Sequence, residues 1–149
     1  MERTLAIIKP DGVQRALVGE IIKRFEARGL RIAGMKLMRI SRETAEQHYA
    51  EHKGKGFYEG TVAYMTSAPV VVLCLEGPDA VAAARATMGA TNPLNAAAGT
   101  IRGDFGMNIS RNLVHGADKP DTAIRELALY FTDDELISYE RAADKWLKE

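Results

Sequence analysis

The stretch from Pro69 to Pro78 reads P-V-V-V-L-C-L-E-G-P, and it is the strongest indication of the fold in this chain. Val70 to Leu75 form an uninterrupted apolar run that is rich in β-branched residues, which favours a strand over a helix. Pro69 on one side and Gly77-Pro78 on the other are residues that end regular structure. The segment therefore predicts a buried strand.

Before this strand, the chain predicts two further strands with a helix between them. Thr4 to Ile8 is a short apolar run that is closed by the turn residues Pro10-Asp11-Gly12. Apolar residues at positions 18, 21, 22 and 25 then share one helix face, and Gly29 is a plausible stop. The imperfect alternation from Arg31 to Ile40 predicts the other strand. Ser41 is expected to cap the helix that follows.

The remaining segments predict helices, one long loop and a fourth strand. They are a short helix at 61–66, a helix at 80–88, an irregular stretch at 89–104, a strand at 107–114, a helix at 120–131 and a short helical tail after Asp133. This order predicts an α+β fold, a ferredoxin-like split βαβ sandwich with a four-stranded antiparallel sheet and helices covering one face. With no linker or repeat, residues 1–149 are expected to form a single domain.

The composition excludes several classes of protein. The 20 basic and 20 acidic residues balance, so no global charge attracts nucleic acid or an acidic membrane surface. Cys74 is the single cysteine and cannot form a disulfide within the chain. The N-terminus shows no signal-peptide pattern, and no apolar run approaches the ~20 residues that span a bilayer. We therefore expect a cytoplasmic protein with no membrane or nucleic-acid partner.

The common phosphate-binding motifs are missing from the sequence. There is no Walker loop, and Gly54 and Gly56 lack the third glycine of a dinucleotide fingerprint. Asp104-Phe105-Gly106 spells the protein-kinase D-F-G triplet, but no H-R-D loop accompanies it, and 149 residues are too few for that fold. Any nucleotide chemistry must use a site of another kind.

Three histidines are candidates for chemistry. His48 and His52 lie four residues apart and could share a helix face, but they lack a third metal ligand in sequence. A solvated helix surface or a loop-stabilising role is the simpler interpretation of this pair, and no metal site is predicted. His115 ends the predicted fourth strand beside Gly116, a place from which an imidazole can face a cleft. By position alone, a structural role for His115 stays open.

Basic residues surround the long loop. Arg85, Arg102 and Arg111 are near Thr91 and Asn112 in the chain, and arginine forks suit phosphate oxygens. Lys9 ends an apolar strand and could extend to solvent or point at a phosphate. Each of these residues alone would be unremarkable.

The segment 112–118, N-L-V-H-G-A-D, closely resembles the active-site signature N-x-x-H-G-S-D of the nucleoside diphosphate kinase family. Further segments are similar to the same family in collinear order over essentially the whole chain. They are T-L-A-I-I-K-P-D-G-V at 4–13, H-Y at 48–49, F-Y at 57–58, T-N-P at 91–93 and G-T-I-R-G-D-F at 99–105.

The resemblance implies a role for individual residues. His115 matches the family's phosphorylated histidine, and Glu126 matches the carboxylate that orients it. Phe57 matches the aromatic residue that stacks on the base, with Ile109 opposite. Contacts to phosphate and ribose are implied for Lys9, Tyr49, Arg85, Thr91, Arg102 and Asn112.

At two positions, the pattern or the residue type of this chain does not agree with the resemblance. Helix periodicity puts Glu126 on the flank of the apolar stripe of its helix, so the pattern alone predicts a solvated side chain. Ala117 stands where the family usually has serine. Because the hydroxyl of the family's serine is not the nucleophile, we expect activity to be kept and only the fine positioning of Glu126 or His115 to be affected.

The resemblance implies exchange of a γ-phosphoryl group, mainly from ATP, between nucleoside tri- and diphosphates by a ping-pong mechanism. Mg²⁺ would arrive on the nucleotide phosphates, since the sequence shows no carboxylate cluster to hold it. Base recognition by stacking would tolerate every base. The family's assembly, with the long tail from Tyr139 to Glu149, implies a homo-hexamer, with a homo-tetramer as the alternative.

Two other functions are alternatives to phosphoryl transfer. A nucleotide-binding regulatory module without catalysis is disfavoured by the joint presence of His115, Lys9, Arg102 and Asn112. A nucleic-acid-binding sheet would need exposed aromatic residues interleaved with basic ones on its strands. Val70 to Leu75 carry no such pattern.

Overall fold

A four-stranded sheet with strand order β2-β3-β1-β4 organises the fold, and every neighbouring pair is antiparallel. The computed structural model describes residues 1–148. Strand β3 is buried at all eight positions, as expected for an apolar run next to the middle of a sheet. The strands are β1 (Glu2–Ile8), β2 (Arg31–Met38), β3 (Val70–Gly77) and β4 (Val114–Gly116).

Seven α-helices accompany the sheet in the described residues. They are α1 (Pro10–Gln14), α2 (Val18–Ala27), α3 (Arg42–His48), α4 (Tyr58–Thr66), α5 (Ala80–Met88), α6 (Ile101–Phe105) and α7 (Pro120–Tyr130). Short 3₁₀ turns lie at Ala50–His52, Pro93–Asn95, Asp133–Glu135 and Asp144–Trp146. No helix within residues 1–148 is long and apolar enough to cross a bilayer.

Helices pack on both faces of the sheet, so the prediction that they cover one face was wrong. Alternate residues of β1, such as Leu5 and Ile7, join one core cluster with α3, α4 and α7. Their neighbours Ala6 and Ile8 join a second cluster with α2, α5 and α6. Because side chains alternate across a strand, each core lies on its own face. This arrangement explains why Leu5 to Ile8 in β1 and Val70 to Leu75 in β3 are apolar without interruption.

The predicted helix signals agree with the observed starts of α3 and α7. Ser41 Oγ accepts a hydrogen bond from the Thr44 amide at 3.1 Å, which satisfies one of the amides left open at a helix start. Pro120 occupies the first turn of α7, where its missing N–H costs nothing.

The prediction of a strand over 107–114 was wrong, because regular pairing starts only at Val114. Asn108 and Arg111 form an isolated bridge within the preceding loop. Leu113 then has φ of +74°, and the Val114 amide donates to the Asn112 carbonyl at 2.8 Å. This γ-turn prevents a straight strand before Val114.

Other differences from the sequence predictions are smaller. Pro10-Asp11-Gly12 begins α1 instead of forming a simple turn, and α6 lies inside the stretch predicted to be irregular. Gly12 is required there, since a Cβ would lie 2.7 Å from the Ile8 side chain and 3.2 Å from the Leu113 carbonyl oxygen. The tail after Asp133 has two 3₁₀ turns where a short helix was expected.

A buried ion network of Arg3, Arg31, Glu76 and Asp144 connects the C-terminal tail to the sheet. Arg31 and Glu76 have 7% and 5% of their side chains exposed, and they pair through the Arg31 guanidinium. Arg3 Nε donates to the other carboxylate oxygen of Glu76 at 2.7 Å. Arg31 also donates to the Tyr139 carbonyl and lies 3.4 Å from the Asp144 carboxylate. Burial alone would raise the pKa of Glu76, but the two arginine hydrogen bonds outweigh it and hold that pKa below its usual value.

We expect Glu76→Gln to lower the free energy of unfolding by about 3 kcal/mol, because the buried Arg31 loses its main counter-charge. Urea denaturation at pH 7 measures this change. The matched control is Glu59→Gln, which removes the exposed partner of Arg42 and should leave stability almost unchanged. Equal, small effects of the two variants would contradict a structural role for the network.

Candidate active site

A cleft of about 230 Å³ opens where β1 and β4 end beside α3, α5 and α7. Ile7 pairs with His115 across the sheet, so Lys9, two residues further on, comes to the same edge as the histidine. The cleft is lined by Lys9, His48, Tyr49, Glu51, His52, Arg85, Thr91, Arg102, Asn112, Val114, His115, Gly116, Asp118, Thr122 and Glu126. Residues that are far apart in sequence therefore share one small, mainly polar space.

His115 is held by a carboxylate on the neighbouring helix. Its Nε2 lies 2.8 Å from Glu126 Oε1, and Glu126 on α7 is only 4% exposed. An ionised carboxylate is an acceptor only, so Nε2 carries the proton and Nδ1 keeps its lone pair. The pattern-based expectation of a solvated Glu126 was wrong, because the helix turns this flank toward the cleft.

The other ring nitrogen of His115 is open to the cleft. Nδ1 has no hydrogen-bond partner among residues 1–148. Within the same residues, Thr4 Oγ1 is the one buried side-chain polar atom without a partner, so Nδ1 is not sealed from solvent. The arrangement therefore presents a lone pair to any group that enters the cleft.

His48 completes the arrangement, and sequence reasoning missed it. It is 2% exposed, with Nδ1 2.6 Å from the Tyr130 hydroxyl and Nε2 3.3 Å from Glu126 Oε2. Tyr130 O–H donates to Nδ1, and Nε2–H donates to Glu126. The Nε2 atoms of His48 and His115 lie 3.1 Å apart, and each donates to the shared carboxylate and not to the other. Of the two roles expected for His48, the solvated helix surface was wrong, since the side chain is buried. Its spacing of three from Ala45, also buried on α3, is the signal that could have found it.

His48 and His52 do not act as a pair. His52 lies beyond the end of α3, with Nδ1 3.0 Å from Lys55 Nζ. His48, His115 and Glu126 do bring ligand-type atoms within 4.8 Å of one another. These atoms contact each other directly, and a metal ion would have to replace the hydrogen bonds that orient His115.

Burial and hydrogen bonding determine the charges of His115 and Glu126. Burial lowers the pKa of His115 to about 4, although the hydrogen bond that its Nε2–H donates to Glu126 opposes the shift. Burial would raise the pKa of Glu126, but the hydrogen bonds from His115 and His48 hold it well below its usual range. At neutral pH the site therefore contains a neutral imidazole against a carboxylate.

The basic side chains of the cleft are fixed in place by hydrogen bonds. Lys9 Nζ donates to Asn112 Oδ1 at 2.8 Å, and Asn112 Nδ2 donates to the Thr91 carbonyl at 3.0 Å. Burial, and next the nearby Arg102, lower the pKa of Lys9 to about 8. An entering anion would offset this concentration of positive charge.

Arg102 is buried at the start of α6 and donates to three backbone carbonyls, those of Gly89, Asn112 and Val114. Burial, followed by repulsion from Arg85, lowers the pKa of Arg102 to about 10, which leaves it charged at pH 7. Arg85 is exposed at the mouth of the cleft and donates to the Gly116 carbonyl at 3.2 Å.

Two of the predicted nucleotide-binding residues lie outside the cleft lining. Phe57 and Ile109 are 54% and 56% exposed and are absent from the residues that line the cleft. Phe57 is close to it, since its ring lies 5.2 Å from that of the lining residue His52. The structure thus brings together eight of the ten predicted site residues: Lys9, Tyr49, Arg85, Thr91, Arg102, Asn112, His115 and Glu126.

Ala117, where a serine was expected, is buried in a small apolar cluster with Val81 and Ala123. Its amide donates to the Leu5 carbonyl at 3.3 Å, which continues the pairing of β4 with β1. Ala123 lies three residues before Glu126 on α7, so this contact supports the helix that carries the carboxylate.

A basic cleft around a neutral, oriented histidine on a ferredoxin-like sheet is typical of a phosphate-handling enzyme. Comparisons with known proteins agree. The family model for nucleoside diphosphate kinase matches residues 2–136. Curated nucleoside diphosphate kinases from Carboxydothermus hydrogenoformans and Pelotomaculum thermopropionicum are 58% and 60% identical over 149 residues, covering 100% of both chains in each comparison.

Solved structures give the same result. The nucleoside diphosphate kinase of Halobacterium salinarum in complex with CDP is 49% identical, with a TM-score of 0.96 and 99% of each chain covered. A nucleoside diphosphate kinase family protein of Babesia bovis is 43% identical, also with a TM-score of 0.96, over 99% of this chain and 100% of that one. The chain belongs to the nucleoside diphosphate kinase family, and it is a kinase of this type.

We expect the His115 ring to titrate well below the ordinary histidine value of about 6.5. The native state keeps this imidazole neutral, so it binds fewer protons than the unfolded chain as pH falls from 6.5 toward 4. The contribution of His115 to stability is therefore fully present above pH 6.5 and is lost progressively as the pH falls from about 6.5 through about 4. A pH titration by ¹H–¹⁵N NMR, with His115→Gln for assignment, measures the midpoint. A midpoint at 6.5 or above would contradict the effect of burial.

Proposed function

We propose that this protein transfers the γ-phosphoryl group of a nucleoside triphosphate, mainly ATP, to a nucleoside diphosphate through a covalent phosphate on His115 Nδ1. The observation that carries the proposal is the pairing of His115 Nε2 with Glu126, which leaves Nδ1 open in a basic cleft. A regulatory module without catalysis would not need a nucleophile oriented by a buried carboxylate.

In the first half-reaction, the Nδ1 lone pair attacks the γ-phosphorus. The bond from that phosphorus to the β,γ-bridging oxygen breaks, and the nucleoside diphosphate leaves with the electron pair. The Nε2 proton stays against Glu126, whose negative charge stabilises the positive charge that develops on the ring. A terminal oxygen of the second diphosphate then attacks the phosphohistidine, and Nδ1 leaves with its lone pair. One site serves both steps, because the two nucleotides are chemically alike.

The remaining lining residues would stabilise the transferring phosphate. Lys9, Arg85 and Arg102 supply positive charge, and their existing hydrogen bonds orient them before a nucleotide enters. Thr91, Asn112 and Tyr49 would contribute hydrogen bonds to phosphate or ribose.

Mg²⁺ would be bound mainly by the nucleotide phosphates. Among the described residues, the carboxylates lining the cleft are Glu51, Asp118 and Glu126, and Glu126 is already engaged by two histidines. These residues do not form an oxygen cage, which fits an ion that arrives on its substrate. When bound, Mg²⁺ neutralises phosphate charge.

The base would stack between Phe57 and Ile109 at the mouth of the cleft. Both side chains are apolar and more than half exposed, as a stacking surface must be before its ligand arrives. Stacking discriminates little between bases, so a broad choice of nucleotides is part of the proposal. The protein would act as a single domain in the cytoplasm, where the thiol of the buried, free Cys74 stays reduced.

We expect His115→Gln to abolish labelling by γ-labelled ATP while nucleotide binding is largely kept, because the amide cannot replace the nucleophile. Acid-labile, alkali-stable label on the protein is the measurement, together with exchange rates in a coupled assay. His52→Gln is the matched control and should still take up label. More than about a hundredth of the wild-type exchange rate in His115→Gln would rule out covalent catalysis at this residue.

We also propose a homo-hexamer, with a homo-tetramer as the alternative. Met35 and Leu37 on the edge strand β2, and Leu94 and Met107 beside the long loop, are large apolar side chains left exposed. Two separate apolar surfaces suit an assembly with two kinds of interface.

Static light scattering at micromolar concentration tests the assembly. We expect a mass near six chains of 16.3 kDa each. A Leu37→Lys variant should reduce the mass, because it places a charge on the apolar edge strand. A mass near four chains would support the tetramer instead.

A further inference from the structure

Leu113 is held in an unfavourable backbone conformation next to the site. Its φ of +74° is rare for a residue with a branched side chain, and the side chain is fully buried. It is the centre of the γ-turn closed by Val114 N–H and the Asn112 carbonyl. Strain of this kind persists only where the surroundings impose it, and it concentrates at functional sites.

The connection between β1 and α1 imposes this conformation from both sides of Leu113. The Leu113 amide donates to Asp11 Oδ2 at 3.2 Å, and the Leu113 carbonyl accepts from the Lys9 amide at 2.8 Å. Both polar groups of the strained residue are thus bound by residues two positions apart in the chain.

Asp11 is itself held by Tyr64 on α4. The Tyr64 hydroxyl donates to Asp11 Oδ1 at 2.5 Å and accepts from the Asp11 amide at 3.0 Å. The guanidinium of Arg111 lies 4.0 Å from the centre of the Tyr64 ring, which joins the loop before Leu113 to the same helix. The carboxylate of Asp11 therefore has one defined orientation.

The turn at Leu113 determines where the site residues on either side of it lie. Asn112 comes just before the turn. Its side-chain oxygen accepts a hydrogen bond from the Lys9 ammonium, and its backbone carbonyl accepts one from the Arg102 guanidinium. His115 follows two residues after Leu113. A relaxed Leu113 would move these contacts relative to the imidazole.

We propose that Asp11, oriented by Tyr64, is a positioning residue for phosphoryl transfer, which acts by holding the turn at Leu113. This inference rests on the proposed phosphohistidine mechanism. The carboxylate does not line the cleft and acts on the reacting groups through Leu113, Asn112 and Lys9.

The test is single-turnover phosphorylation of the full-length protein by γ-labelled ATP, with the rate constant and final label per chain recorded separately. We expect Asp11→Ala to reach nearly the same final label while its rate constant falls about 10- to 100-fold, as a displacement near 1 Å can cause. Asp11→Asn can still accept from the Leu113 amide and donate to Tyr64, so its rate should stay within about fivefold of wild type.

Two further variants sharpen the comparison. Tyr64→Phe should lower the rate constant less than Asp11→Ala, because the carboxylate remains but loses its orientation. Asp144→Ala is the matched control. Like Asp11, Asp144 accepts a hydrogen bond from a backbone amide, and it accepts a second one from the Arg141 side chain. Because Asp144 lies in the tail, this substitution should leave the rate unchanged.

The possible results distinguish the proposed phosphoryl transfer from the positioning role of Asp11. If wild type takes no label, the proposed function fails and the inference fails with it. If wild type is labelled and Asp11→Ala keeps its rate while its final label falls, Asp11 merely supports folding and only the inference is overturned. An Asp11→Asn variant as slow as Asp11→Ala would also overturn it, since the rate would then depend on the charge of Asp11 and not on its hydrogen bond to the turn.

Discussion

The carboxylate of Glu126, buried and bonded to two imidazoles, is the interaction on which the rest of the site depends. A buried carboxylate without partners would take up a proton or destabilise the fold. Here His115 and His48 both donate to it, and Tyr130 orients His48 from behind. The negative charge is stabilised, and in return it fixes the tautomer of His115. The same hydrogen bonds therefore stabilise the buried charge and orient the imidazole of His115.

A second constraint is the positive charge on the opposite side of the cleft. Arg102 is buried and Lys9 is half-buried, and neither forms an ion pair with an acidic residue among those described. Backbone carbonyls and the Asn112 amide oxygen satisfy their donors instead. The cations remain available to an anionic ligand, although the chain as a whole has no net charge. Local charge placement, and not overall composition, makes the cleft basic.

The sheet makes these contacts possible by bringing distant segments together. Lys9 follows β1, His115 lies in β4, and the register of the pair places both at one edge. Helix α7 packs on β1 and delivers Glu126 from the same side as His115. The tail is held separately. Arg31, which pairs with Glu76 in the sheet, also contacts Tyr139 and Asp144 in the tail, so the site and the tail depend on different networks.

The sequence by itself determined those features that depend on neighbouring residues. Val70 to Leu75 specified a strand because the run is apolar and bounded, and Ser41 specified a helix start because its hydroxyl reaches the Thr44 amide. The family resemblance added the identity of most site residues. Only the tertiary structure decided that β1 and β3 are covered on both faces, that residues 107–113 stay outside the regular pairing of the sheet and that Glu126 and His48 are buried together. Those outcomes depend on contacts between segments far apart in the chain, such as Asp11 with Leu113 or His48 with Tyr130, and a local pattern that marks a position as buried does not specify its partner.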